Sequence, residues 1–252
     1  MSEALGREYL SRIVALQERI LREEAEAVST AAQLLAEQIR ADRLVHIFGP
    51  GGHSNLASQE VFFRAGGLMH FSAILDGGTL LSQGALRSMA IERMPGYGRI
   101  VVEDWGLGAE DLLILVNAYG INAALLDAAF AANARGVRTI GISSREHADS
   151  TDLEHPARHP SGANLHDAVD HHIDTKVPVG DAVMEVPGVG DLTGAISTFA
   201  NAFTLNWIVI ATVEQLAADG TPIPIWRSGN APGGDEANAR FLDQFRHRVR
   251  AL

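Results

Sequence analysis

A glycine-rich segment, Gly49-Pro50-Gly51-Gly52-His53-Ser54-Asn55, joins a short apolar run to a helical pattern. Glycines let the backbone approach a ligand closely, and the start of a helix presents free N–H groups to an anion or a hydroxyl. Gly51 and Gly52 are therefore candidate substrate-binding positions, and Ser54 or Asn55 is placed to cap the helix while offering a side-chain oxygen. His53 lies in the loop, where an imidazole can move a proton near neutral pH or simply hydrogen-bond the turn. Glu60 follows on the helix, about one and a half turns beyond the cap. A carboxylate at a pocket rim can act as a general base, although a glutamate on a helix surface is ordinarily solvated.

The loop departs from nucleotide-binding patterns. Ser54 stands where a dinucleotide fingerprint needs its third glycine, no acid follows at the required distance, and the lysine of a phosphate-binding P-loop is absent. A tight turn without a ligand remains the alternative. Further on, His166-Asp167, Asp170-His171-His172 and Asp174 combine imidazole and carboxylate, which suits zinc or manganese. Neighbours on a strand point to opposite faces, so His171 and His172 cannot simply share one ligand set; a solvated strand end is favoured and no metal is assigned. Gly194-Ala195-Ile196-Ser197-Thr198 opens an apolar helix and is a second candidate anion site, with ordinary capping as its alternative.

The elements that must position these groups fit one α/β domain with helical additions. The chain has 252 residues, 46% of them hydrophobic and 20% charged, enough for a substantial core and unlike a disordered or fibrous protein. Its formal charge of −11 argues against a nucleic-acid partner, which needs a basic face. Zero cysteines remove disulfides, thiolate nucleophiles and zinc–thiolate sites. No basic and apolar leader opens the chain, which predicts a cytoplasmic protein. The most apolar stretch, residues 198–213, contains Asn201 and Asn206 and is too short to span a membrane, so it reads as a buried helix.

Leu44 to Phe48, Asp111 to Val116 and Val137 to Ser143 read as strands, the first two followed by loops and helical patterns. Leu68 to Leu75 is a weaker strand candidate, and Asp170 to Asp174 reads as a last short strand. Strands alternating with helices imply a parallel sheet covered on both faces, which binds ligands beyond the carboxyl ends of its strands. Residues 3–40 show helical spacing, as one helix or as two broken at Ser29-Thr30 with Gln33 closing a capping box, and are expected to serve dimerisation. Residues 79–93 read as a helix containing Gly84, residues 144–164 as a loop, residues 178–190 as turns and residues 193–218 as the apolar helix. A last helix passes through Phe241, Leu242, Phe245 and Val249. The expected divisions are 1–40, 41–220 and 221–252.

Several separated motifs agree with a known family in order. Phe48-Gly49 through His53-Ser54, Glu60, Phe62, Arg64-Ala65-Gly66-Gly67-Leu68, Glu92-Arg93 with Gly96-Tyr97, His159-Pro160-Ser161-Gly162, Gly180-Asp181-Ala182, Ser197-Thr198 and Gly233-Gly234-Asp235-Glu236 with Asn238 run through nearly the whole chain. They resemble the sugar isomerase (SIS) domain proteins, and more narrowly a bacterial subgroup of phosphosugar-binding proteins of about this length. The resemblance implies a flavodoxin-like five-stranded parallel sheet between helices, a homodimer or homotetramer with sites near subunit interfaces, and no cofactor. Relatives such as phosphoheptose isomerase and glucosamine-6-phosphate synthase bind phosphosugars, mostly to interconvert aldose and ketose; others are lyases or sugar-sensing regulators.

In those relatives a serine-rich loop cradles phosphate. The matching segment here runs from Asn117 to Asn122 and keeps only Gly120, with Asn117, Tyr119 and Asn122 at the hydroxyl positions. Backbone N–H groups remain, but Tyr119 is large enough to fill the space of a phosphate. The implied function is a sugar or phosphosugar aldose–ketose isomerase working through an enediol, with Glu60 as base and His53 as partner. Gly51, Gly52, Ser54, Asn55, Asn117, Tyr119, Gly120, Asn122, Ser197 and Thr198 are the substrate-binding candidates, and Glu185 or Glu236 stand as other candidates for the base. The competing readings are a non-catalytic sugar sensor and an amino-sugar lyase or deaminase.

Overall fold

The computed structural model describes residues 2–252. Two helices, α1 (Ser2–Glu23) and α2 (Ala25–Arg40), lead into β1 (Val45–Phe48), α3 (Ser54–Val61) and β2 (Phe71–Ala73). A single 3-10 turn (Leu81–Gln83) precedes α4 (Ala85–Glu92) and α5 (Tyr97–Trp105). Then come β3 (Leu112–Val116), α6 (Ala123–Ala134), β4 (Arg138–Ser143), α7 (Arg145–Ser150), α8 (Leu165–Ala168) and β5 (His171–Asp174). A hairpin, β6 (Ala182–Met184) and β7 (Thr193–Ala195), leads into α9 (Ser197–Ala218), and α10 (Gly234–Phe245) closes the chain.

β1 to β5 form a parallel sheet in the order β2-β1-β3-β4-β5, the flavodoxin-like arrangement. β3, Leu-Leu-Ile-Leu-Val, is its central strand and is buried throughout, as a strand with helices on both faces must be. Its side chains alternate between two cores. Leu112, Ile114 and Val116 pack with Val28, Leu35 and Ile39 of α2 and Leu205, Ile208 and Val209 of α9, whereas Leu113 and Leu115 pack with Val101 and Val102 of α5 and Leu125, Leu126 and Ala129 of α6. Gly98 lets α5 press against α6, because a Cβ there would collide with the Ala124 carbonyl.

Several details differ from the sequence reading. The first helical stretch breaks at Glu24, not at Ser29-Thr30. Thr30 instead bonds back to the Glu26 carbonyl and Gln33 bonds Glu37, so no capping box forms there. α2 shares one core with the sheet. Gly84, at φ +113°, ends the 3-10 turn and starts α4, so residues 79–93 are not one helix. The loop at 144–164 contains α7, whose cap is Ser144, and is pinned by buried Arg158, which donates to several carbonyls including those of Thr151 and Gly162. Residues 193–195 belong to the hairpin and not to α9.

Candidate functional site

The carboxyl ends of β1 and β3 point at a cavity of about 170 Å³, lined by the loop after β1, the end of α4, the loop after β3, Asp181 and the start of α9. His53, Ser54, Glu92, Asn117, Tyr119, Asp181, Ser197 and Asn201 supply its polar and aromatic side chains. Position in the fold accounts for the convergence, since strand ends in a parallel sheet deliver their loops to one edge.

Glu92 was not among the residues expected to act. It is the last residue of α4, and its carboxylate lies against the bare Cα of Gly51 (φ +91°), where any Cβ would collide with it. α4 is held in place by the Thr79 carbonyl, which accepts from Ser88 Oγ at 2.7 Å and from Asn55 Nδ2 at 2.9 Å. Burial raises the Glu92 pKa to about 7, against the opposing pull of a hydrogen bond from Asn117 and the charge of Arg93. That places its proton exchange at neutral pH, where a general base or acid works best.

Asn117 ties the site together. Its Nδ2 donates to Glu92 Oε1 and to Ser54 Oγ, each at 3.2 Å. Its Oδ1 accepts from the backbone N–H groups of Tyr119 at 3.0 Å and Gly120 at 2.9 Å, so the side chain occupies the donors that the loop could have offered an anion. Tyr119 lines the same cavity. It stacks on His147 with ring centroids 3.6 Å apart and planes 16° from parallel. Burial raises the tyrosine's pKa and lowers the histidine's.

The start of α9 is closed in a similar way. Asp181 Oδ1 accepts from the N–H groups of Ile196 at 2.9 Å and Ser197 at 2.7 Å, and its Oδ2 accepts from Ser197 Oγ at 2.7 Å. The positive φ of Asp181, 66°, turns its carboxylate toward the helix. Ser197 therefore donates to a carboxylate of its own chain.

Among the predicted residues, Gly51, Gly52, His53, Ser54, Asn117, Tyr119 and Ser197 line this cavity. Asn55 and Gly120 support it from outside: Asn55 Nδ2 bonds Gly51 and Thr79 carbonyls, and Gly120 packs at Ser143 and Leu165. Neither Ser54 nor Asn55 caps α3. The cap position is His53, which makes no side-chain cap bond. Asn122 precedes α6 without capping it and donates to the Ala157 carbonyl. Glu60 and Thr198 line an adjoining cavity of about 330 Å³ that shares His53 and Asn201 with the first. There Glu60 is paired with Arg64 at 3.2 Å and accepts from Asn206 Nδ2 at 3.0 Å. Glu185 lines a separate hollow beside α1, and Glu236 sits in the first turn of α10; neither lines the central cavity.

The acids and histidines around β5 have other partners. Asp170 accepts from Thr139, His171 bonds the Ala27 carbonyl, His172 bonds Ser143, and Asp174 pairs with Lys176. Among the described residues no three acid or histidine side chains converge as metal ligands. None of the described helices is long and apolar enough to cross a membrane.

Residues 8–144 match the family model described as the SIS domain. A UPF0309 protein of Halalkalibacterium halodurans is 33% identical over 244 residues, covering 97% of this chain and 96% of that one. One of Streptomyces coelicolor is 34% identical over 244 residues, covering 96% and 95%. The solved structure of a phosphoheptose isomerase from Neisseria gonorrhoeae superposes with a TM-score of 0.57 at 14% identity, covering 86% of this chain and 100% of that chain. A second, from Francisella tularensis, gives 0.54 at 13% identity, with 85% and 99% covered. At these identities the two isomerases share the fold.

Proposed function

The chain belongs to the SIS-domain family, and from that premise we propose that it is a cytoplasmic aldose–ketose isomerase acting on a sugar or sugar derivative in the central cavity, with Glu92 as the proton carrier. The observation that carries this reading is the Glu92 carboxylate, buried against Gly51 among strand-end loops and held near neutrality in its pKa. An enediol route needs one group that removes the proton beside the carbonyl and returns it to the neighbouring carbon. A carboxyl that is part ionised at pH 7 does both. In its ionised form Glu92 takes the proton, becomes neutral, and gives it back one carbon along.

The N–H groups of Gly52 and His53 make no hydrogen bond among the described residues, and their loop lines the same cavity as this carboxyl; we assign them the steadying of the enediol oxygen as charge develops on it. To His53, which lines both cavities, we assign the exchange of protons with the sugar oxygens. Glu60, tied to Arg64 and Asn206, positions the adjoining wall and carries no proton in this scheme. The partner we assign to the exposed apolar side chains on α1 and α9, Leu10, Leu21, Phe199 and Ile210, is a second copy of the chain.

Proton NMR in D2O with pools of aldoses, ketoses and their derivatives tests the reading. Loss of the carbon-bound proton signal beside the carbonyl is the expected result. No exchange, with a ligand-induced rise in melting temperature, would assign a binding module in its place.

A further inference from the structure

We infer that the central cavity takes a sugar carrying no phosphate or other anionic group, an inference that rests on the reading of this cavity as the substrate site. A phosphate ester requires several donors free of other partners and a field of positive sign. Two places where backbone N–H groups could meet an anion are already filled by side chains of the chain itself. After β3, Asn117 Oδ1 holds the N–H groups of Tyr119 and Gly120. At α9, the Asp181 carboxylate holds those of Ile196 and Ser197 together with the Ser197 hydroxyl. A phosphate at α9 would have to displace an anion tethered to the same chain, which competes at high effective concentration.

The charges agree. The cavity lining contains the carboxyl groups of Glu92 and Asp181 and neither lysine nor arginine. The arginine of the adjoining cavity, Arg64, is engaged by Glu60 at 3.2 Å. A phosphate dianion entering here meets like charge in a partly desolvated space, where repulsion is weakly screened. Sugar hydroxyls, and an amino group where the sugar carries one, suit the carboxylates, the Asn201 amide, whose Oδ1 has no partner, and the Ser54 hydroxyl, because each hydroxyl both donates and accepts. The N–H groups of Gly52 and His53 make no hydrogen bond among the described residues, but they belong to a loop that lines the same cavity as the Glu92 carboxyl, which favours a carbonyl or hydroxyl oxygen there over an anion.

The test has two arms. In the first, melting temperature is measured with millimolar inorganic phosphate for the wild type and for Asp181→Ala, which opens the start of α9. Phosphate is expected to leave the wild type unchanged and to stabilise the variant. Should Asp181→Ala not fold, Asn117→Gly, which frees the N–H groups of Tyr119 and Gly120, replaces it. Stabilisation of the wild type by phosphate overturns the inference.

In the second arm, deuterium exchange is followed with free aldohexoses and ketohexoses and with their 6-phosphates. Exchange at least ~10-fold faster for the free sugars is expected from the like-charge field. Equal or faster exchange with the phosphates overturns the inference and leaves the isomerase reading standing. Exchange in neither pool overturns the isomerase reading, and the phosphate melting arm then decides the inference by itself.

Discussion

The Glu92 carboxylate rests on Gly51, in space that any other residue's Cβ would take, and both belong to the wall of one cavity although they come from different helix–loop units. Gly51→Ala therefore has two effects. The positive φ of 91° costs an L residue about 1–2 kcal/mol, and the methyl pushes away the far end of a side chain that can move. The variant is expected to fold with modestly reduced stability and to lose turnover on the order of 10²-fold, as a displaced catalytic group does. Paired measurement of urea unfolding and deuterium exchange checks this; undiminished exchange in a folded variant would remove Gly51 from the account.

The pH dependence of exchange reports the same carboxyl. Glu92 acts in its ionised form, so the rate rises with pH through a midpoint near the value of about 7 set by its burial. The Asn117 hydrogen bond opposes that rise, so its removal in Asn117→Ala is expected to move the limb to higher pH. A limb that stays in place, or moves down, would show that another group titrates.

Burial of Glu92 also has a signature in stability. Its folded pKa lies above the unfolded value of 4.5, so between these values the folded state binds more protons and stability falls as pH rises. The cost is absent below about pH 4 and complete above the folded pKa near 7. Glu92→Gln removes the ionisation, and the variant is expected to match the wild type in acid and exceed it at pH 8 by up to about 3 kcal/mol. His70 and His172 act in the opposite sense. Burial lowers their pKa values to about 4 and about 3, so the folded state binds fewer protons than the unfolded one and stability is lost as pH falls below 6.5. The difference between wild type and variant, measured by denaturant unfolding across pH, isolates Glu92 because both chains share these histidines.

The sheet was legible because its signals are local. Val45–Phe48 and Leu112–Val116 are mostly apolar runs ended by loop residues, Arg138–Ser143 follows with β-branched Thr139, Ile140 and Ile142, and Gly136 marks the end of the helix between the last two. The loop after β1 could be read as a binding loop for the same reason. Glu92 could not be chosen on spacing: it reaches the cavity only through the break at Gly84, which the helical periodicity of residues 79–93 conceals. Its signal in the sequence was its place in Glu92-Arg93 with Gly96-Tyr97, which marked the family and not a role. Asp181 was hidden similarly, because the strands of the β6–β7 hairpin are three residues each and lie among glycines and prolines. Tyr119 has the bulk to fill a phosphate site, yet the small Asn117 closes the loop by taking its N–H groups while the ring turns to His147.

The assignment of the proton carrier to Glu92 is tested most directly by comparing Glu92→Gln with Glu60→Gln for deuterium exchange on the same sugar pool, after both variants are shown to be folded. The account predicts a loss of roughly 10²–10⁴-fold for Glu92→Gln, the usual worth of a general base, and a change within a few-fold for Glu60→Gln. Exchange that survives Glu92→Gln and collapses in Glu60→Gln would contradict it and move the chemistry to the adjoining cavity.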